Sequence, residues 1–525
     1  MKKVTIYDTT LRDGAQAEGV SYTVMDKIRI CQELDKLGIH YIEGGWPGSN
    51  PKDMEFFKKI SRHRFSSAKL CAFSMTRRSN TRAGADPNIM ALVKSGAEII
   101  TIVGKTWDLH VSEVLKIPLD ENLRMIKDTV EFLASKGLTV FYDAEHFFDA
   151  YKANKKYSLK CLETALISGA RSICLCDTNG GALTSEVSKI VREIKPAIKD
   201  GASLGIHCHN DCGLAVANSI AAVEAGCDMV QGTINGYGER CGNADLIPII
   251  AILKLKMGID CISLENLKKL SHLSHFISEI SNMRAKSEQP FVGDSAFAHK
   301  GGMHINAVMK EPRTYEHIDP ALTGNHRRIL VSELGGKTGI LLRAKALELD
   351  LSKEDPQTKK ILKLVQDLEH KGYHFEAAEA SFELLMKKAM KKFGKFFELE
   401  GFRVVIEKQS NKKITSEAII KLKVKGVKEH TAAEGDGPVN ALDNALRKAL
   451  KDFYPALSKM HLSDFKVRVL EEQAGTAAKV RVLVQSQDDS DTWNTIGVSE
   501  NIIEASWQAL VDSVEYKLMK DSTRS

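Results

Sequence analysis

The residues best able to do chemistry are two histidines one residue apart, in the stretch Gly205-Ile206-His207-Cys208-His209-Asn210-Asp211. Ser203 to His207 reads as a short strand, and Gly201 and Gly213 bracket it. Side chains in a strand alternate faces, so His207 and His209 point the same way. Two imidazoles facing one direction make half of a divalent-metal site. A His-x-His pair alone is common. Its weight depends on where the remaining carboxylates, arginines and strands fall.

From Met1 to about Leu255, short apolar runs alternate with helical patterns. The runs predict strands at Val4–Tyr7, Tyr41–Gly45, Lys69–Phe73, Ile99–Val103, Thr139–Tyr142, Ser172–Cys176, Ser203–His207 and Met229–Thr233. Between them, Val24–Leu37, Leu123–Ala134 and Leu214–Ala225 read as amphipathic helices. Gly38, Gly96, Gly137, Gly169 and Gly226 follow helical stretches, as a left-handed C-terminal turn requires. Eight strand–helix units in about 250 residues predict an α/β chain whose first domain is a (β/α)8 TIM barrel. A doubly wound open sheet is the alternative, and no glycine-rich phosphate loop supports it.

In a TIM barrel, chemistry collects at the C-terminal ends of the strands. Thr9, Thr10, Arg12, Asp13 and Gln16 follow the first strand, and the second carries Glu43. The fifth ends in Asp143 and Glu145, and the sixth in Asp177, Thr178 and Asn179. His207 and His209 close the seventh, and Gly236–Asn243 follows the eighth. Polar groups on so many strand ends of one rim are far more specific than any one of them.

The composition is that of an ordinary globular chain, 43% hydrophobic and 27% charged. A net charge of +6 makes no case for nucleic acid. The lysine-rich run Met386–Lys395 reads as a solvated face. The ten cysteines include no C-x-x-C pair and suggest no disulfide framework. Reduced, buried thiols point to a cytosolic protein. Charged residues interrupt the N-terminal stretch, so no signal peptide is read there. No apolar run reaches the roughly 20 residues of a membrane span.

Several motifs resemble one family. They are Asp8-Thr9-Thr10-Leu11-Arg12-Asp13-Gly14-Ala15-Gln16, Glu43, His207-x-His209 and Gly238-Glu239-Arg240-x-Gly242-Asn243-Ala244. They resemble the metal-dependent Claisen-condensing barrels, which include 2-isopropylmalate, homocitrate and citramalate synthases, with lyase relatives acting on hydroxymethylglutaryl-CoA. The resemblance covers almost the whole chain. Gly44–Asp53 and Asp143–Asp149 are most similar to the citramalate branch.

The resemblance implies a condensation of acetyl-CoA with a 2-oxo acid, then thioester hydrolysis. Pyruvate is the expected acceptor, giving (R)-citramalate for isoleucine biosynthesis. The alternative is 2-oxoisovalerate, the 2-isopropylmalate synthase reaction of leucine biosynthesis. Asp13, His207 and His209 would bind the metal, with Asn243 as a fourth ligand, direct or through water. A mixed oxygen and nitrogen set suits Mg, Mn or Zn. Arg12 would stabilise the developing oxyanion, with an ion pair to Glu43 as its structural alternative. Glu145 would orient substrate or move a proton, with Asp143 competing at the same strand end. Thr178 and Gln16 would touch the 2-oxo acid, although Thr178 also suits a loop cap. Asn210 and Asp211 read as supporting groups.

Beyond the barrel, Phe297-Ala298-His299-Lys300-Gly301-Gly302-Met303-His304 is similar to the family's linker motif. By that similarity His304, helped by Tyr315, is the base or its relay. It would reach over the partner subunit's site in a homodimer. The expected domains are a catalytic barrel at 1–270, helical linker subdomains at 271–394 and a C-terminal α+β regulatory dimerisation domain at 395–525. The linker reading rests on helical stretches at Leu255–Ser295 and Lys345–Met390. Gly335-Gly336-Lys337-Thr338 reads as a turn near CoA, and not as a nucleotide loop.

From Phe396 the pattern changes to two βββα repeats, read at an offset of 60 from Gly437 and Gly497. They resemble the allosteric domain of 2-isopropylmalate synthases, with isoleucine as the expected ligand. Gly435-Asp436-Gly437-Pro438 and Gly475-Thr476-Ala477-Ala478 are the expected ligand loops. Two other readings stand beside the synthase. A lyase on the same barrel would not need the repeats. An inactive amino-acid sensor would not need Asp13, His207 and His209.

Overall fold

The structure is a computed structural model. It describes residues 3–524 except 62, 199–200, 331–340, 342–343, 345–351, 353–354, 409, 411–412 and 471–477. The chain forms two compact units, Met1–Phe297 with Ile318–Arg327, and Ala298–His317 with Arg328–Ser525.

The first unit is a closed barrel of eight parallel strands in sequential order. These are β1 (Thr5–Asp8), β2 (Tyr41–Glu43), β3 (Lys69–Met75), β4 (Ile99–Lys105), β5 (Thr139–Glu145), β6 (Ser172–Asp177), β7 (Ser203–Cys208) and β8 (Met229–Gly232). The expected barrel is therefore present. The glycines after its helices, Gly38, Gly96, Gly137, Gly169 and Gly226, all take positive φ.

Two cores hold the barrel. Tyr7, Cys71, Ile99, Phe141, Cys174, Cys176 and Met229 pack together, one or two from each of six strands. They share the period-two face that also carries Glu43, Asp143 and His207. The larger core lies between strands and helices, with Ile6, Ile42, Ile100, Ile173 and Ile206 from the opposite strand faces. Every cysteine that reads as apolar context (Cys31, Cys71, Cys174, Cys176, Cys208, Cys227) is buried, and none forms a disulfide among the described residues. Among the described residues, no helix is long and apolar enough to cross a membrane.

The stretch Leu255–Ser295 departs from its expected helical reading. It holds only the short helix Leu264–Leu267 and the helix Leu270–Ile280. Leu270, Leu273 and Ile277 are buried in the outer barrel core, so this segment packs with the barrel.

The second unit carries the two repeats as separate antiparallel sheets. Phe397–Glu407, Thr415–Val424 and Val427–Gly435 form one, followed by the helix Pro438–Leu450. His461–Val469, Val480–Gln487 and Thr492–Ser499 form the other, followed by the helix Ile502–Arg524. The equivalence is corrected to an offset of 64. The Thr431 hydroxyl donates to Ala445 O (3.0 Å), and Thr495 repeats the bond to Ala509 O (2.7 Å). Asn444 bonds Glu434, and 64 positions later Gln508 bonds Val498. Gly437 and Gly497 do different jobs. Gly437 precedes the first helix, whereas Gly497 lies inside a strand, where a Cβ would sit 2.0 Å from Ala505 O.

The repeats are not equally covered. Ile496 and Val498 of the second sheet share a core with Phe375, Phe382 and Met386. Those residues come from Phe375–Ala377 and the helix Glu379–Ala389. The Ile496 N–H donates to Ser381 Oγ (3.0 Å). The counterparts of Ile496 and Val498 in the first repeat are Ala432, half-buried, and Glu434, exposed. The lysine run is not simply a solvated face. Lys387 pairs with Glu383 (2.9 Å), and Lys388 with Asp512 (3.2 Å) and Glu515 (2.7 Å). Gly335–Thr338 and residues 475–477 of the second expected ligand loop lie outside the described residues.

Candidate active site

The chemistry-bearing residues converge as the rim pattern requires. A cavity of about 240 Å³ at the C-terminal ends of the strands is lined by Arg12, Asp13, Glu145, Thr178, His207 and His209. Gln16 also lines it, at the exposed rim.

Strand β7 ends at Cys208, and an isolated antiparallel bridge pairs His209 with Asn243. This bridge carries the two-residue periodicity one step past the strand. His207 Nε2 lies 3.4 Å from His209 Nε2 and 3.5 Å from Asp13 Oδ2. The ligand atoms of Asp13, His207 and His209 all lie within 4.8 Å of one another.

Their charge states suit a cation. Burial pushes the His207 imidazole down to about 3. Burial lowers His209 as well. Burial opposes ionisation of Asp13, but Arg12 and the two imidazoles hold its carboxyl down at about 2. The set is one carboxylate and two neutral imidazoles, the protonation state that metal ligation needs. Asn243 Nδ2 donates to Asp13 Oδ1 (3.1 Å), while its buried Oδ1 has no hydrogen-bond partner among the described residues. An orphaned buried acceptor costs about 1–3 kcal/mol, and a cation would satisfy it. These residues fit a divalent metal.

A relay behind the cluster fixes one ring. His207 Nδ1–H donates to Gln231 Oε1 (3.1 Å), leaving the Nε2 lone pair facing Asp13 and His209. Gln231 Nε2 donates to Asp143 Oδ1 (3.0 Å). Burial, with the Glu43 charge adding to it, pushes the Asp143 carboxyl up to about 7. The unfolded value is about 3.9. Between these values the folded chain keeps a proton that the unfolded chain has released, so this group's contribution to stability falls as pH rises from about 4 to 7. Asp143→Asn is expected to flatten that slope in chelator-treated protein, measured by urea unfolding at a series of pH values. An unchanged slope would refute the assignment.

Arg12 meets both alternatives considered for it. Its Nε donates to Glu43 Oε1 (2.5 Å) and its Nη1 to Asp13 Oδ2 (3.0 Å). The guanidinium also lies over the Phe73 ring, 4.0 Å from its centre. Glu43 is fully buried and accepts from Tyr7 OH (2.7 Å). Arg12 nevertheless lines the cavity, so the ion pair positions it there.

Glu145 pairs with Lys105, a residue that sequence reasoning missed. Lys105 and Glu145 are register partners at the ends of β4 and β5. The missed signal is the alternation Thr101, Val103, Lys105, which continues past the apolar run. Thr178 Oγ accepts from the His146 N–H (2.8 Å), so it braces a loop and keeps its own O–H free to donate. His146 holds a left-handed φ of 55° directly after Glu145. Its ring packs with His110 and Trp107, two further residues the sequence did not single out. Asn210 caps Ala215, and Asp211 takes a paired bond from Arg240 (2.8 and 2.9 Å). Both act as supports.

His304 and Tyr315 belong to the second unit, where their rings lie 4.2 Å apart between centres. His304 sits in the helix Gly302–Lys310 and is exposed, as is Tyr315.

Comparison with known proteins matches residues 3–277 to the HMGL-like family. Residues 291–372 match the homocitrate synthase post-HMGL domain-like family, and 376–518 the LeuA allosteric (dimerisation) domain. An (R)-citramalate synthase of Aquifex aeolicus is 53% identical over 99% of this chain and 98% of its own. One from Geobacter sulfurreducens is 54% identical over the same shares. A 2-isopropylmalate synthase of Methanocaldococcus jannaschii is 32% identical over 99% of this chain and 95% of its own. The chain thus belongs to the HMGL-like family, as a condensing transferase that groups over its full length with the (R)-citramalate synthases.

Proposed function

We propose that the chain condenses acetyl-CoA with pyruvate and hydrolyses the thioester, releasing (R)-citramalate, CoA and a proton. The observation that carries this reading is the Asp13, His207 and His209 cluster sharing one small cavity with Arg12, Glu145 and Thr178. The higher identity to citramalate synthases than to a 2-isopropylmalate synthase supports pyruvate as acceptor.

Asp13, His207 and His209 would hold a divalent metal, with Asn243 Oδ1 available beside them. When bound, the metal acts as a Lewis acid on the acceptor ketone. Arg12, already oriented by Glu43, places positive charge where the oxygen becomes negative. Thr178 donates its free O–H to the acceptor carboxylate. Lys105 pairs with Glu145 and holds it in place to orient the acceptor. The methyl of a thioester is weakly acidic, so a positioned base is required. His304, with Tyr315 against its ring, supplies it from the linker segment.

The division of labour is a catalytic barrel, a linker that carries the base, and a C-terminal regulatory domain. That domain pairs two chains and binds isoleucine as the feedback ligand. The chain works in the cytoplasm.

The test is free-thiol release from acetyl-CoA, with pyruvate and with 2-oxoisovalerate in parallel. Release that favours pyruvate and stops on chelation is expected. Preference for 2-oxoisovalerate would move the chain to the isopropylmalate reaction. No release with either acceptor, despite bound metal, would reject the reading.

A further inference from the structure

The metal-ligand cavity has two sides, set by the strand order of the barrel. Asp13, Thr178, His207 and His209, with Arg12 and Glu145, give it a polar side on or just after β1, β5, β6 and β7. Its four large apolar side chains are Trp46, Phe73, Met75 and Val103. They come from the loop after β2, from β3 and from β4, which are neighbours. Lys105, also on β4, is turned to its ion pair with Glu145. A 2-oxo acid has the same two sides. Its carboxylate and ketone need charge and donors, and its alkyl group needs neither. The alkyl group therefore faces the wall of β2, β3 and β4.

The four wall residues differ in how firmly they limit that group. Val103 is small. Met75 has an unbranched, flexible side chain that gives way. Phe73 is buried under the Arg12 guanidinium. Trp46 is the largest, and its ring meets Phe73 edge to face with centres 5.6 Å apart. The indole N–H has no hydrogen-bond partner among the described residues. Packing and the backbone therefore place the ring.

That backbone is locked. The Trp46 N–H donates to Asp53 Oδ2 (2.9 Å), and Trp46 O accepts from the N–H groups of Ser49 (3.1 Å) and Asn50 (3.2 Å). Asp53 Oδ1 pairs with Lys27 Nζ (2.5 Å), which also donates to Gly44 O (3.0 Å). Lys27 and Asp53 are both buried, so each depends on the other. Gly45 holds φ at 140°, and a Cβ there would stand 2.4 Å from Asp53 Oδ2. Only glycine lets the carboxylate come this close. A buried ion pair thus fixes the turn that presents the ring.

Trp46, Met75 and Val103 also line a larger cavity of about 710 Å³. They form the partition between it and the 240 Å³ around the metal ligands. A shorter side chain at position 46 joins the two spaces.

We propose that Trp46 selects the acceptor. Its ring, fixed through Asp53 and Lys27, admits the methyl of pyruvate and turns away longer or branched 2-oxo acids. The inference rests on the synthase reading and adds the residue that discriminates between acceptors.

The test uses the full chain loaded with metal and saturated with acetyl-CoA. Thiol release gives kcat/KM for pyruvate, 2-oxobutanoate and 2-oxoisovalerate in wild type, Trp46→Leu and Trp46→Phe. Taking ratios between acceptors within one protein cancels changes in donor or metal binding. One methylene in an apolar pocket is worth about 10–200-fold, so wild type is expected to favour pyruvate over 2-oxobutanoate by about tenfold or more. Trp46→Leu is expected to raise the 2-oxobutanoate to pyruvate ratio by about tenfold. Trp46→Phe, which keeps a ring against Phe73, is expected to raise it by less. A ratio that stays or falls in every variant that still releases thiol would overturn the role of Trp46. So would loss of release with all three acceptors in both variants. Either result leaves the synthase reading standing on the wild type. A wild type that prefers 2-oxoisovalerate would overturn the pyruvate reading and this proposal with it.

Discussion

His207→Ala is expected to abolish metal retention and thiol release while the barrel still folds. His207 gives Nε2 to the cluster and Nδ1 to Gln231, and it is not part of either apolar core. Losing the partner of Gln231 costs stability of about 1–3 kcal/mol at most, small for a barrel with this much buried core. Metal loss is far larger. Changing a group that merely orients a ligand costs about 10–100-fold in affinity, so removing the ligand itself exceeds that. Gln231→Leu should fall within that lower range and His207→Ala beyond it. Metal content after desalting, thiol release and far-ultraviolet circular dichroism read the three quantities. A His207→Ala protein with full metal and full release would remove the cluster from the mechanism.

Arg12→Ala carries the second large effect, on stability and rate together. Glu43 is fully buried, and Arg12 is its cationic partner. Breaking a buried pair by removing one member costs about 3–5 kcal/mol, because a charge is left uncompensated. The double variant Arg12→Ala/Glu43→Gln should recover much of that stability, since a neutral amide can still accept from Tyr7 OH. It should recover none of the activity, because the charge at the developing oxyanion is still missing. Urea unfolding of the barrel transition and thiol release separate the two. Recovery of activity in the double variant would make Arg12 a structural residue only.

The barrel was legible because buried parallel strands read as apolar runs set between helices with clear glycine stops. What the runs hide is their last inward residues. Lys105 continues the alternation of β4 past the apolar run that ends at Val103, so the composition looks like loop while the geometry is still strand. Lys105 was missed for that reason. His207 and His209 were found because their spacing puts them on one strand face, and Asp13 joined them through the family resemblance of its motif. Gln231 and Tyr7 were overlooked because a polar side chain inside a strand gives no outward sign of its partner. The repeat was recognisable, yet its offset was misread, because matching glycines do not mark matching roles. Gly437 opens a helix, and Gly497 lets a strand approach one. Likewise Leu270–Ile280 shows its helical period in the sequence, but not that its apolar face lies on the barrel.

The unequal cover of the two repeats bears on how portable the C-terminal module is. A fragment beginning at 395 would carry both sheets but leave behind Phe375, Phe382 and Met386, which shield Ile496 and Val498. It would also strand Asp512 and Glu515 without Lys388. Such a piece would present a bare apolar strip beside two unpaired acids and self-associate through it. A cut just ahead of Pro356 keeps the cover and the lysine with the sheets. The tandem copies have therefore ceased to be interchangeable parts. Both share a core, but the first leaves Ala432 half-buried and Glu434 exposed where the second is half of a further joint whose other half lies upstream.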